Sequence, residues 1–274
     1  MIVEKKITDD FDLKLIADSG QCFRWEEEDN GSYRIIHGND CLYISPGEKN
    51  VYFFEMDEKG NGTDWDNYLD LGENYRKIRR RIDGEKDPFL KAAAKEQKGI
   101  RILRQDPWEM LITFIISQNK NIPGIRRCVE KLCEMSGKKL KDIRGKTYYG
   151  FPSPKAILDL EEGDLVSCSL GYRCAYVTAA AKAVEGGEID LDALRDADEE
   201  ETLDKLISIH GVGKKVASCI SLFGLHHIDS FPIDVWIKRI LEQEYPDGYP
   251  YEEYSPHNGV YQQYMFAYYR KHYG

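Results

Sequence analysis

Along this chain of 274 residues the spacing of apolar positions changes character once. Up to about residue 70 they fall in short runs rich in aromatic and β-branched types: Ser32 to Gly38 ("SYRIIHG"), Cys41 to Ser45 ("CLYIS") and Val51 to Asp57 ("VYFFEMD"). Clusters of Gly, Asn and Asp separate the runs, which is the pattern of strands joined by turns. From about residue 74 the spacing becomes helical and stays so. Asp106 and Pro107 stand as N-cap and first position of a nearly all-apolar helix, "DPWEMLITFIISQN". A helix with no polar face must be covered by others. Residues 121–137 form an amphipathic helix, apolar at Ile125, Cys128, Val129, Leu132 and Cys133 and stopped by Gly137. Further helices are predicted over 172–187, 199–213, 214–225, 231–243 (with Asp234 in capping position) and 258–273. The fold class is therefore α+β, a β-rich part over residues 1–98 and an all-helical part over 99–274. A helix, tight turn and helix occupy about 199–225.

Charge changes this picture only locally. The net charge is −10, which at face value argues against a polyanionic partner. However, Arg76 to Arg104 holds eleven Lys/Arg against four Asp/Glu, and Asn119 to Tyr148 holds nine against three. The compensating acid sits in Glu185 to Asp204, so the local potential, not the net charge, decides whether a phosphate backbone can dock. Taken alone, such basic runs read better as solvated helix faces; their segregation from the acid shifts the reading only modestly toward nucleic acid, with both runs then facing it. No run of eighteen apolar residues and no signal-peptide core occur, so the expected location is the cytoplasm. Seven cysteines, odd in number and without a CxxC pair, argue against disulfides and a four-cysteine zinc site. None follows Cys219, which excludes a C-terminal four-cysteine iron–sulfur loop. No metal or other cofactor is expected.

The chemistry concentrates in "LISIHGVGKKVASCISLFG", Leu206 to Gly224. Two glycines permit a turn closed to other residues, leaving the amides of Gly211, Val212 and Gly213 pointing outward at a helix N-terminus. Amides so placed bind phosphate without reading sequence. A glycine-rich corner between core helices would explain the two glycines alone; Lys214 and Lys215 beside them favour phosphate. Lys215 and Cys219 are four apart and share a helix face. An amine partly desolvated in a cleft can act as a nucleophile, and a carboxylate such as that of Asp234 can stabilise positive charge. On spacing alone, two surface lysines and an ordinary capping aspartate fit somewhat better.

These residues resemble a known family. "HGVGKKVASC" followed by "FPIDVW" is similar to the helix–hairpin–helix Gly/Pro-Asp motif of base-excision DNA glycosylases, and more narrowly to 8-oxoguanine DNA glycosylases. "SGQCFRW", "DPWEMLITFIISQNKNI", "LGYRCAYV" and "GVYQQYMF" match further blocks of that family in order, from Ser19 to the C-terminus. The resemblance implies an antiparallel sheet domain, then two helical subdomains with a cleft between them. It implies an enzyme that flips 8-oxoguanine out of duplex DNA and severs its glycosidic bond through a lysine Schiff base, with β-lyase strand cleavage. By the same resemblance Lys215 is the nucleophile and Asp234 steadies the cationic sugar. The Gly20 carbonyl accepts from the N7–H that guanine lacks, while Gln262 meets the base edge. Phe266 stacks on one face and Cys219 contacts the other. Asn119, Tyr172 and Arg173 fill the gap and meet the widowed base, and Gly211, Val212, Gly213 and Lys214 hold a DNA phosphate. The chain departs from the family at Gly124, commonly arginine, and at Trp236, commonly histidine. The partner implied is double-stranded DNA containing 8-oxoguanine, with no membrane, bound by a monomer in a prokaryotic cytoplasm. Competing readings are a glycosylase for alkylated purines, which typically lacks the lysine, and a hairpin that merely binds DNA.

Overall fold

The structure, a computed structural model, describes residues 1–58 and 60–274. Its N-terminal part is a five-stranded antiparallel sheet in the order β1-β5-β4-β3-β2, with β1 Ile2–Lys6, β2 Trp25–Glu27, β3 Tyr33–His37, β4 Asp40–Pro46 and β5 Val51–Met56. Leu42 and Ile44, two apart on β4, face one side and stand opposite Ile35 and Phe54 on the neighbouring strands. All four are fully buried beneath α1 Leu13–Asp18 and α2 Trp65–Tyr68. Thus the period-2 pattern becomes a one-sided core.

The remainder is helical: α3 Tyr75–Arg80, α4 Pro88–Glu96, α5 Pro107–Ser117, α6 Ile122–Ser136, α7 Pro154–Leu158, α8 Glu162–Ser167 and α9 Arg173–Glu185. Then follow α10 Glu199–Ile207, α11 Lys214–Phe223, α12 Val235–Glu244, α13 Tyr251–Tyr254 and α14 Asn258–Tyr273. The apolar α5 is the hub, packed by α6, α9 and α11, and begins as expected with Asp106 accepting the Glu109 N–H at 2.7 Å. All five apolar positions predicted for α6 are buried.

Three expectations need correction. The helical run is broken by a hairpin, β6 Lys139–Lys141 and β7 Thr147–Tyr149. Its turn is held by Asp142, whose carboxylate accepts the N–H groups of Arg144 and Lys146. The same carboxylate bonds Arg34 at 3.0 Å and Tyr43 at 2.8 Å, docking the hairpin on the other side of the sheet. The cores also part earlier than the 98/99 boundary: Tyr75, Ile78, Ile82 and Leu90 belong with the helices. Finally, much of the basic run 76–104 does not form a free face. Arg76, Arg79 and Lys98 converge on the buried Asp10, Arg101 meets Asp9 at 3.0 Å and Arg104 meets Asp70 at 2.7 Å. These cations fasten the seam between sheet and helices.

A buried carboxyl in that seam gives a pH signature. Glu109 on α5 is desolvated, which pushes its pKa up to about 7, while Arg24, 3.9 Å away, opposes the shift. Arg24 keeps a second carboxylate, Glu130 at 3.1 Å, so its own charge stays favoured. A carboxyl raised on folding stabilises fully below its unfolded value and loses that contribution as pH rises through the folded one. Stability should therefore fall from pH 4.5 to 7 by on the order of 3 kcal/mol from this group. Denaturant unfolding at pH 5 and pH 8 should show the drop in the wild type and little of it in Glu109→Gln.

Candidate active site

The hairpin between α10 and α11 is built around Gly211, at φ +91. A Cβ there would lie 2.2 Å from Cγ of Tyr176, so the ring packs directly on the turn. Gly211→Ala should combine strain with overpacking and cost about 1–3 kcal/mol, read as a lowered denaturation midpoint together with weaker duplex binding. The Val212 N–H is used inside the turn by the Ile209 carbonyl at 3.0 Å, and its side chain is buried. Val212 therefore cannot offer the amide expected of it. Gly213 caps α11 without a side-chain bond. The N–H groups of Gly211 and Gly213 bond to nothing among the described residues, and with the first turn of α11 they leave an anion-attracting end.

Lys215 projects from that turn. It is exposed, not desolvated as the sequence suggests, with Nζ 5.6 Å from the centre of the Phe114 ring. Phe114 is fixed by stacking on Phe223 and by the edge of Phe23. Cys219 lies one turn further on, buried; burial raises its thiol pKa, and the Lys215 ammonium beside it pulls the other way. Asp234 caps α12, its Oδ1 accepting the N–H groups of Trp236 at 3.0 Å and Ile237 at 2.9 Å. Among the described residues Oδ2 accepts none, leaving one carboxylate oxygen for other work. A groove of ≈ 710 Å³ brings these elements together, lined by residues 117–120 at the end of α5, 213–216 of the hairpin, 233–235 and Lys238.

The other candidates form two neighbouring groups. Gly20, at φ +82, lies against Phe266: a Cβ on it would be 3.3 Å from the ring. Its position is set by Gln21, fully buried, which donates to Ser19 and the Arg101 carbonyl and accepts from the Leu103 N–H. Neither Gly20, Phe266, Gln262 nor Cys219 lines the groove. Gln262 is placed otherwise than expected: it is buried, donates to the Pro232 carbonyl at 2.9 Å and accepts from Gln263. A buried amide must be satisfied, and here it braces the loop leading to Asp234.

In the second group Asn119, at φ +53, donates to the Tyr172 hydroxyl at 3.0 Å, and both are exposed. Arg173 is not available beside them. It is buried, its guanidinium donating to the Gln118 and Leu170 carbonyls and lying 4.4 Å from the centre of the Tyr172 ring. Gln118 in turn donates to the Gly211 carbonyl at 3.0 Å, joining the Asn119 turn to the hairpin. Sequence reasoning passed over Gln118, Gln21 and Lys238. The one signal for Gln118 was a polar residue at the end of an otherwise apolar helix.

A sheet domain joined to a helical body carries, in one groove, a lysine on the hairpin helix and a helix-capping aspartate, the arrangement expected of a helix–hairpin–helix base-excision DNA glycosylase. Residues 3–111 match the 8-oxoguanine DNA glycosylase N-terminal domain, and residues 112–247 match the HhH-GPD superfamily of base excision DNA repair proteins. The N-glycosylase/DNA lyase of Saccharomyces cerevisiae is 30% identical over 85% of this chain and 68% of its own length. Among solved structures, MBOgg1 in complex with a low-affinity DNA ligand superposes with a TM-score of 0.90 at 37% identity, over 99% of this chain and 96% of that one. The Clostridium acetobutylicum 8-oxoguanine glycosylase/lyase bound to double-stranded DNA with cytosine opposite 8-oxoguanine gives 0.88 at 34%, over 99% and 98%. The chain belongs to the 8-oxoguanine DNA glycosylase/lyase family.

Proposed function

We propose that this chain excises 8-oxoguanine from duplex DNA and then cleaves the strand, with Lys215 as nucleophile. The observation that carries the reading is the groove shared by Lys215 and the half-free carboxylate of Asp234. The damaged nucleotide is turned out of the stack, since its C1′ cannot be reached within it. Having given up its ammonium proton, Lys215 attacks C1′ through Nζ, and the base leaves with the electron pair of the C1′–N9 bond and takes up a proton. Asp234 Oδ2 offsets the positive charge that develops on the sugar. Loss of the ring oxygen bond gives the Schiff base. Removal of a C2′ proton then expels the 3′ phosphate by β-elimination. DNA lying over the groove supplies the desolvation that the protein alone does not give Lys215.

Discrimination from guanine rests on a carbonyl acceptor at Gly20, to which no described residue donates. Phe266 stacks on the base and Cys219 meets the other face once the ring moves off Gly20. Gly211, Gly213 and Lys214 hold a backbone phosphate, while Asn119 and Tyr172 enter the gap. Gln262 keeps the loop of Asp234 in place and meets the base with whatever bonding capacity remains. No described helix is long and apolar enough to cross a membrane. The test is a duplex with a single 8-oxoguanine: free base and a strand break formed without alkali are expected. An intact duplex, with 3-methyladenine released from a separate alkylated duplex instead, would overturn the reading.

A further inference from the structure

We infer that Lys238 is a DNA-phosphate ligand, gripping the backbone on the wall of the groove opposite the hairpin amides; this rests on the function proposed above. The groove carries four cations, Lys120, Lys214, Lys215 and Lys238, against the single carboxylate of Asp234, in a chain of net charge −10. Three of the four already have work. Lys120 donates to the Ser169 carbonyl at 3.1 Å, Lys214 belongs to the hairpin turn, and Lys215 stands over Phe114 beside Cys219. Among the described residues Lys238 pairs with Glu242 alone, 3.9 Å away on the same helix, with both side chains largely exposed. An exposed pair of this kind contributes little, so a phosphate displaces Glu242 at small cost.

Position fixes what Lys238 can reach. It is four residues after Asp234 and so one turn along the same face of α12. Asp234 faces the reacting sugar, and a phosphate flanking that sugar falls within reach of a lysine chain set one turn away. The hairpin amides hold the strand on the α11 wall, and a strand drawn into a groove needs a second grip on the other wall. The rim points to the same occupant. Ile233 and Val235, on either side of Asp234, are 46% and 67% exposed, an apolar pair set among charges. Deoxyribose rings supply the flat, weakly polar surface that covers such a pair while their phosphates meet the lysines. Trp236 does not compete for this place: its ring packs against Tyr269 and Arg239.

The test measures equilibrium binding to a duplex carrying a stable tetrahydrofuran abasic site, which needs no chemistry. Lys238→Gln should reduce the slope of log K against log salt by about 0.9, and Lys238→Arg should restore it. Lys95→Gln, an exposed lysine outside the groove, should leave the slope unchanged. Replacing the flanking phosphates one at a time by neutral methylphosphonates should weaken the wild type at one position and cost Lys238→Gln nothing further there. An unchanged slope in Lys238→Gln, or an equal methylphosphonate penalty in both proteins, overturns the inference. A wild type that excises 8-oxoguanine while Lys238→Gln binds normally sinks this inference alone. A wild type without excision sinks the function on which it rests.

Discussion

Lys215→Gln is expected to lose excision of 8-oxoguanine by on the order of 10⁴–10⁶-fold, the scale on which enzymes suffer when a covalent nucleophile is removed. Duplex binding and folding should survive. The side chain is exposed and touches the interior through its ammonium end, beside Cys219 and over the Phe114 ring, so its replacement changes stability by no more than about 1 kcal/mol. The hairpin amides proposed to hold the phosphate belong to the backbone and remain. Lys214→Gln is the matched control. It removes the same charge one residue earlier, weakening binding while leaving the covalent step available. Single-turnover base release for the two variants separates them. Near-normal release by Lys215→Gln would mean that water activated by Asp234 is the nucleophile. Loss of release in Lys214→Gln alone would move the assignment by one residue.

The second large effect concerns the base opposite the lesion. A cytosine-strict site surrounds that base with donors from an asparagine and two arginines. Here one of those places is Gly124, whose only donor, its backbone N–H, is occupied by Asn121 Oδ1 at 2.9 Å. Arg173 has its guanidinium on the Gln118 and Leu170 carbonyls, and Lys120 is tied to Ser169. Of the expected set only Asn119 presents an exposed side chain, together with the Tyr172 ring. Each missing base-edge contact removes about 1–3 kcal/mol of discrimination. Excision should therefore be appreciable opposite thymine, guanine and adenine, with only a mild preference for cytosine. Single-turnover rates on four duplexes differing at that base measure it. A cytosine preference well above about 160-fold, the top of that 1–3 kcal/mol range, exceeds what one contact explains. It would point to Lys120, Arg126 or Arg127 as a replacement, or to Arg173 leaving its carbonyls to read the base.

What the sequence made legible was whatever local physics decides. Asp106 and Pro107 start α5, the five apolar positions of α6 find the core, and Asp234 caps α12, because caps and periodicity act within a turn or two. The hairpin turn was legible because only glycine fits at Gly211. What was not legible depends on partners far along the chain. Strands of three residues such as β6 and β7 carry little propensity of their own. Asp142 holds them through Arg34 and Tyr43, about a hundred residues away. The same limit governs charge: Arg76 to Arg104 reads as a basic face until Asp9, Asp10 and Asp70 are seen beneath much of it. Arg173 and Gln262 read as donors to DNA, yet each is satisfied by protein carbonyls that no spacing rule reveals.

The central claim is that one lysine of the hairpin forms a Schiff base with the sugar of 8-oxoguanine. Borohydride reduction during the reaction, followed by mass-spectrometric mapping of the DNA-linked peptide, tests it directly. A covalent complex should form with 8-oxoguanine duplex and not with its guanine counterpart, with the adduct on Lys215. Base release without any trapped complex, or an adduct on Lys214 or Lys238, would contradict it.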